Sequence, residues 1–457
     1  MTLAKVALAL LFFLAALAPV CSAITTRGPT TRGPTTGGPT THAPTSKTPT
    51  TRAPTSSPTL GTNFPSGQAC ASFDLMTDVP GPVNSSEFGY TLAVSYDGNT
   101  VVTSTLKTSY VTSEGETTVT IPSHGVLVYA RSSYGVPHVL FQDLLSLELQ
   151  DIVTLALTPA ADTLAVGNAT GGIQIFTRPS NTSLFVLSQT LEFSEVLGGT
   201  LASVAFSPSG KILAIGSGAL DQTPVVIVME RSGLNVNFTQ IAPAVSTLKG
   251  NGFGSALALT EDVLVASEPA GPGYGAGQVR ILSRNSNGSS WDWFGPPILP
   301  SGDSTDYFGQ RVDMSYDGLT LAFSSGLNAA YVCDRPSQSR LCTQLQVLNS
   351  SEVTLVTPSV KDFGAVVALD ASGSTLVVAA PFDNNYAGGF QHYRNAGLGQ
   401  GFVPVGTLYT HCVDSPTDEP LFGIGLKISG DGRTVVSTAL MLAGSDGPYF
   451  TVYTCSS

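Results

Sequence analysis

Histidines and nucleophile motifs are the first features to test for chemistry in this chain of 457 residues. None of the histidines after residue 67 stands in an HExxH pattern or beside a Cys/His cluster that would bind zinc. There are four of them: His124, His138, His392 and His411. A GxSxG nucleophile elbow and a phosphate-binding Gly-rich loop are also missing from the sequence. No acid, base and nucleophile come together, so the sequence predicts a protein that is not an enzyme and has no cofactor or metal site.

Two further motifs have the residue types of a ligand site. Asp383-Asn384-Asn385 has oxygen donors for an ion or ligand, although a solvated loop is the favoured interpretation. Trp291 and Trp293 are the only tryptophans, and two residues apart on a strand they point to the same face. They are interpreted as packing between structural units, with a sugar-stacking platform as the alternative.

A unit repeated seven times must position these residues. Each copy has Phe-Gly or a substitute, an alternating apolar strand, a tight turn and a second apolar strand; the copies start at residues 88, 151, 200, 253, 308, 363 and 422. A third strand follows, as in GGIQIFTR, and a fourth precedes the next copy. Four antiparallel strands per unit predict an all-β fold, a β-propeller of about seven four-stranded blades over residues 68–457.

The repeats also predict local roles. The turn glycines are expected at positive φ in two-residue hairpins such as Asp97-Gly98, Asp317-Gly318 and Asp431-Gly432. The Phe of each Phe-Gly is expected to pack between blades, and its Gly is expected to let a neighbouring backbone approach closely.

The N-terminal region predicts export. Residues 1–23 have the basic, apolar and small-residue regions of a signal peptide cleaved after Ala23, with an uncleaved anchor as the alternative. Residues 24–67 repeat TTRGP-like pentads and are interpreted as a disordered, mucin-like stalk. No other stretch is apolar enough to span a bilayer, so no membrane insertion of the mature chain is expected. The expected location is extracellular, secreted or associated with the cell surface or matrix.

Glycosylation and charge agree with this location. Six N-x-S/T sequons predict N-glycosylation, at Asn84, Asn168, Asn181, Asn237, Asn287 and Asn349. The residues after 67 carry 15 Lys and Arg against 32 Asp and Glu, a net charge of −17. Such an acidic domain argues against nucleic acid as the partner.

The fourth and sixth copies carry a family resemblance. FGSALALTEDVLVASEPAGPGYGAGQVRILSR and FGAVVALDASGSTLVVAAPFDNNYAGGFQHYR resemble FG-GAP repeats, the blades of integrin-α-like propellers. This resemblance implies extracellular recognition, such as adhesion or matrix contact. Blades of that family often carry a D-x-D-x-D-G calcium loop, which no copy here has, so calcium sites are not expected.

The cysteines predict how the ring closes. Cys333 and Cys342 flank the connection between the third and fourth strands of the fifth blade, which places them for a disulfide. By alignment of the repeats, Cys70 and Cys455 occupy the same two positions at the chain ends. A strand at about 70–76 should therefore complete the last blade, locked by a Cys70–Cys455 bond. Cys412 is left as a buried free thiol or an intermolecular bridge.

The function expected from these features is a non-enzymatic binding or adhesion module that presents propeller loops to an extracellular protein or glycan. A lectin-like propeller and a glycan-active enzyme are the alternatives.

Overall fold

The computed structural model of the chain describes residues 70–455 except for short segments. In the described part, the regular secondary structure consists of β-strands. The segments left out are 83–84, 87, 113–117, 146–150, 194, 198–200, 219–222, 248–251, 270–276, 301–306, 326–328, 343–344, 350–362, 382–387, 398–399, 411–420 and 440–447. The predicted signal peptide and stalk, Asn84, Asp383–Asn385, His411 and Cys412 lie outside the described residues. No helix in the described part is long and apolar enough to cross a membrane.

Seven small antiparallel sheets form a ring, which confirms the predicted seven-bladed propeller. The last blade is completed by the first strand, β1 (Phe73–Pro80). Blade 1 contains β2 (Ser85–Ser86), β3 (Leu92–Val94), β4 (Thr100–Thr112), β5 (Thr118–Ala130) and β6 (Val139–Leu145). Blade 2 contains β7 (Ile152–Leu157), β8 (Thr163–Asn168), β9 (Gly172–Thr177) and β10 (Val186–Glu192). Blade 3 contains β11 (Ser203–Phe206), β12 (Ile212–Gly216), β13 (Val225–Glu230), β14 (Thr239–Gln240) and β15 (Val245–Ser246).

Blades 4 to 7 follow the same plan. Blade 4 contains β16 (Leu257–Leu259), β17 (Val263–Glu268), β18 (Gln278–Arg284) and β19 (Trp291–Trp293), and blade 5 contains β20 (Val312–Met314), β21 (Thr320–Ser324), β22 (Ala329–Asp334) and β23 (Gln346–Asn349). Blade 6 contains β24 (Val366–Leu369), β25 (Thr375–Ala379), β26 (Gly389–Asn395) and β27 (Phe402–Thr410). Blade 7 contains β28 (Gly425–Ile428), β29 (Thr434–Ala439) and β30 (Tyr449–Cys455), together with β1. We call the face at which the first strand of each blade begins the upper face, and the opposite one the lower face.

The apolar cores lie between blades rather than within them. Seven clusters of buried apolar side chains each combine residues of two neighbouring blades, so that every junction of the ring is filled. Phe88, for example, is fully buried among residues of blades 1 and 7. The predicted packing of the Phe-Gly phenylalanines between blades is therefore confirmed.

The Phe-Gly glycines fit the predicted close approach. A Cβ built on Gly364 would lie 2.0 Å from the carbonyl oxygen of Ala329 in the neighbouring blade, and Gly364 has φ +92°. Both the contact and the backbone conformation favour glycine there.

The predicted two-residue hairpins between first and second strands are wrong in length. In blade 1, for example, β3 ends at Val94 and β4 begins at Thr100, so the connection has five residues. Gly98 has the expected positive φ, +66°. The wider turn is closed by backbone hydrogen bonds from Ser95 N to Thr100 O and from Gly98 N to Ser95 O, and the Thr100 N–H donates to the Ser95 hydroxyl.

The closure of the ring is as predicted. β1 pairs antiparallel with β30, from Phe73 opposite Cys455 to Pro80 opposite Tyr449. Disulfides join Cys70 to Cys455 and Cys333 to Cys342, with Cα–Cα distances of 5.6 and 5.9 Å. The first and last described segments are thus held by one ladder and one covalent bond.

Candidate binding surface

The lower mouth of the central channel is built from the connections between first and second strands. Backbone hydrogen bonds link these connections around the ring from blade 5 to blade 2: Tyr316 N to Ala371 O, Ala371 N to Gly430 O, Asp431 N to Tyr96 O and Tyr96 N to Pro159 O. The rings of Tyr96 and Tyr316 lie 6.1 Å apart, between blades that are not neighbours. Burial raises the pKa of both phenols, which keeps them neutral. The lower mouth is therefore a hydrogen-bonded belt with an aromatic contact across the channel.

The aspartates of these connections complete their own turns. Asp97 accepts hydrogen bonds from the Ser95 hydroxyl at 2.6 Å and from the Asn99 N–H at 3.0 Å. Asp317 and Asp431 accept the equivalent pairs of bonds. Within the described residues, no group of three or more His, Cys, Asp and Glu is placed to hold a metal ion. The described role of these carboxylates is structural, and the expected absence of calcium sites stays a prediction.

Two charged residues of the first strands were not predicted. Asp313 in β20 accepts a hydrogen bond from the N–H of Leu369 in blade 6 at 2.9 Å, so it joins two inner strands. Burial raises the pKa of Asp313, and the charge of Lys427 in β28 opposes that rise. They are the only acidic and the only basic residue in the first strands as described. The signal in the sequence was a single charge within each otherwise apolar segment, VDM and GLKI.

Buried arginines bind neighbouring blades together at the lower face. The Arg178 Nη2 donates to Thr100 Oγ1 of the preceding blade at 3.0 Å, and its guanidinium lies 4.4 Å from the Phe185 ring centroid. Arg231 repeats this arrangement with Thr163 at 2.8 Å. Burial lowers the pKa of Arg178 to about 10, which leaves it charged at neutral pH. The Arg at the end of the third strand was visible in the sequence, but its contact with the preceding blade was not.

Glutamines on the outer strands make a second link between blades. The Gln189 side chain donates to Phe238 O at 3.0 Å and accepts from Phe238 N at 2.8 Å, although the two residues belong to different blades. Gln142 bonds Phe185 in the same two-way fashion, and Gln346 bonds Phe402. We call these pairs amide clamps. They satisfy both backbone groups of a buried aromatic residue.

The histidines do not form a site in the described structure. His138 is buried, and its Nε2 donates to Gly98 O at 3.0 Å. His392 is fully buried beside Phe73, with 4.9 Å between ring centroids, and neither ring nitrogen has a hydrogen-bond partner in the described part of the chain. Burial lowers the pKa of each to about 4. His124 lies in β5, where its side chain is not described.

The two tryptophans have different environments. Trp291 is buried in the junction of blades 3 and 4, which agrees with the packing interpretation. Trp293 is 43% exposed, with the Arg280 guanidinium 5.0 Å from its ring centroid. At the equivalent position of the outer strands, blades 1, 2 and 3 have Leu140, Leu187 and Gln240. A repeated aromatic platform, as a multivalent lectin requires, is therefore missing from these described positions.

The upper rim of the channel presents exposed side chains with no described internal role. Tyr90 follows the Phe-Gly of blade 1, and Tyr307 precedes that of blade 5; each is 42% exposed. Arg311, also in blade 5, is exposed. Their side chains make no hydrogen bond or ion pair among the residues that the structure describes. We call these three residues the upper rim.

Tyr307 also has an unusual backbone. Its φ is +52°, in the left-handed region that non-glycine residues rarely adopt, and its carbonyl accepts the Gln310 N–H at 3.1 Å. Blade 4 has Gly252 at the same place, with φ +69°. Blade 7 has Leu421 there, with φ +46° and a buried side chain. The left-handed conformation is thus shared by blades 4, 5 and 7, and Tyr307 differs from Leu421 in the exposure of its side chain.

The predicted sequons are placed differently. Four are exposed: Asn181, Asn237, Asn287 and Asn349. Asn168 is buried, and its Oδ1 accepts hydrogen bonds from Gly172 N at 2.7 Å and Thr170 Oγ1 at 3.0 Å. Glycosylation stays a prediction at all of them, and the structure disfavours it at Asn168.

Comparison with known proteins does not narrow the identity. No protein-family model matches the chain, and the search of curated proteins gave no match. The resemblance to FG-GAP propellers therefore rests on the repeat sequences alone, and the structure supports the propeller fold.

Proposed function

We propose that this chain is a secreted or cell-surface binding module that recognises an extracellular protein or glycan through the upper rim. The observation that carries the proposal is the exposure of Tyr90, Tyr307 and Arg311 around the mouth of a closed, disulfide-bonded ring. Tyr and Arg are the residue types that contribute most binding energy at protein interfaces.

The charged residues that make contacts within the ring are different from the exposed Arg311, and this difference supports the proposal. Arg178, Arg231 and the turn aspartates are used in contacts within the ring. Arg311 has no such contact in the described part of the chain, and it offers a guanidinium in a domain whose net charge is −17. A carboxylate or the edge of a sugar is the chemistry that such a group binds.

The glycan-active enzyme has less support than the binding module. Glycoside hydrolysis generally uses two carboxylates that flank the scissile bond. Among the described residues of the first strands, Asp313 is the one carboxylate, and it is hydrogen-bonded to the backbone of Leu369. That the chain is not an enzyme stays a prediction.

The test is ligand capture by the purified glycosylated protein with matched variants. Binding to crosslinked surface proteins and to a glycan array would be measured for the natural protein, for Tyr307→Ala and for Arg311→Ala. Each change should weaken binding at least tenfold, since truncation of an interface hot spot costs about 2 kcal/mol or more. Arg394→Ala is the control, because Arg394 is exposed at the opposite end of a blade. Equal binding by all four proteins would contradict a ligand site at the upper rim.

A further inference from the structure

The outer strands of blades 1 and 2 expose apolar side chains. In β6, in β10 and at Leu184, two residues before β10, five large apolar residues are at least 47% exposed, with Val186 highest at 65%. They are Val139, Leu140, Leu184, Val186 and Leu187. We call this set the apolar strip. Exposed apolar patches on an extracellular domain call for a covering group or a partner.

The strip is continuous across the two blades. The side chain of Gln142 in β6 bonds both backbone groups of Phe185, which lies between Leu184 and Val186. The segments 136–142 and 184–190 contain no charged residue. Neither strand is regular, since the pairing register shifts near Leu140 in β6 and near Leu187 in β10. Such bulges hinder the addition of another strand, so the strip is a surface of side chains and not a template for strand pairing.

Sequons border this surface. Asn181, Asn237 and Asn287 are exposed and occupy the same turn, between third and fourth strands, in the consecutive blades 2, 3 and 4. Asn181 lies three residues before Leu184, and Asn237 precedes Phe238, whose backbone is clamped by Gln189 of β10. The Asn181 Oδ1 accepts a hydrogen bond from Arg178 Nη2 at 3.4 Å, which leaves its Nδ2 for attachment.

We infer that N-glycans on Asn181 and Asn237 lie over the apolar strip and keep it from self-association. In the transfer, the asparagine Nδ2 forms a bond to C1 of the sugar, the C1–O bond to a polyprenyl diphosphate carrier breaks, and the amide nitrogen loses one proton. From Asn181 to Leu187 the extended chain spans at most about 20 Å, so the first sugars reach the strip. The C–H faces of the sugars cover apolar side chains while their hydroxyls face water.

This inference rests on the proposed export of the chain. It adds that one part of the surface is covered by glycans and another part is left open for a ligand. The glycans on Asn181 and Asn237 would cover the outer, lower side of blades 1 to 3. The upper rim, at the opposite face, would stay free for its ligand.

The test begins with glycopeptide mass spectrometry of the full chain secreted from a eukaryotic host. Asn181 and Asn237 should be occupied, and Asn168 should be unmodified. The double variant N181Q/N237Q should bind an apolar fluorescent dye several-fold more strongly and sediment as a self-associated species. N287Q is the control, because the outer strand next to it contains Asp292 and is outside the strip. Adding V186S and L187S to the double variant should reverse both changes.

Enzymatic removal of the glycans from the folded natural protein gives the same test if the double variant does not fold. Unoccupied Asn181 and Asn237 would overturn the inference, and so would a deglycosylated protein that binds no more dye and self-associates no more than the glycosylated one. Retention of ligand binding by such a protein would leave the upper rim intact as the proposed site, so the two proposals fail separately.

Discussion

From the burial of His392 we predict that the free energy of unfolding falls in acid. It is fully buried in β26, and its ring contacts Phe73 of β1, the strand that closes the ring. Burial, with a further contribution from the positive charge of Arg394, lowers the pKa of His392 to about 4 from its ordinary 6.5. Neither ring nitrogen has a hydrogen-bond partner among the described residues that would offset protonation.

The sign follows from proton linkage. Between pH 6.5 and pH 4 the imidazole is protonated in the unfolded chain and neutral in the folded one, so the unfolded state binds more protons and stability falls as the pH falls. The full shift corresponds to about 3.4 kcal/mol, at 1.36 kcal/mol per pKa unit. Between pH 7 and pH 5 the share of this one residue is about 2 kcal/mol.

The assay is urea unfolding at pH 7 and pH 5, followed by tryptophan fluorescence, in the natural protein and in His392→Leu. The variant should lose about 2 kcal/mol less free energy of unfolding between the two pH values. At pH 7 it should be at least as stable, because leucine has no buried polar atoms to leave unpaired.

His138→Leu is the comparison. It should remove a similar share of the acid sensitivity, since the pKa of His138 is also about 4. It should in addition cost about 1–3 kcal/mol at pH 7, because Gly98 O loses its donor. If His392→Leu loses as much stability in acid as the natural protein, burial does not hold this imidazole neutral and the reasoning is refuted.

Two further predictions concern the disulfides and the amide clamps. Replacing Cys70 and Cys455 by Ser should lower the free energy of unfolding by about 6 kcal/mol, and replacing Cys333 and Cys342 by Ser should lower it by about 2.5 kcal/mol. The losses differ because the first bond closes 385 residues of chain and the second closes 9. Equal losses in denaturant titrations would contradict this entropic account. Gln189→Leu should cost about 2–3 kcal/mol, since both hydrogen bonds to the Phe238 backbone are lost, whereas Gln310→Leu on the exposed rim should change stability by less than about 0.5 kcal/mol.

The features that could be predicted from the sequence are those that recur in each repeat or depend on neighbouring residues. A Phe-Gly, a turn glycine and an alternating strand recur in each copy, so the number of blades and the role of Phe88 or Gly364 can be inferred without coordinates. Closure was predictable as well, because Cys70 and Cys455 occupy the positions that Cys333 and Cys342 occupy inside one blade.

Contacts between blades were not predictable in the same way. Gln189 and Phe238 are 49 residues apart, and nothing in either segment marks the pair until the blades are placed side by side. Asp313 and Leu369 are 56 residues apart and join through a backbone N–H, which leaves no pattern of residue types. The turn length was wrong because the bonds that close the turn join Ser95 to Thr100, on either side of the Asp97-Gly98 pair, and not the residues next to that pair.

These contacts between blades also explain why the upper rim is the surface to test. The junctions of the ring are each filled by apolar side chains, and Arg178, Arg231 and the turn aspartates are bound internally, so the ring should change little in shape when one exposed side chain is replaced. Tyr90, Tyr307 and Arg311 are therefore free to vary without cost to the fold. The left-handed backbone of Tyr307 is shared by Gly252 of blade 4 and by the buried Leu421 of blade 7, so the turn accounts for it. The fold does not account for the exposure of the Tyr307 ring, and a ligand is the explanation we propose for that exposure.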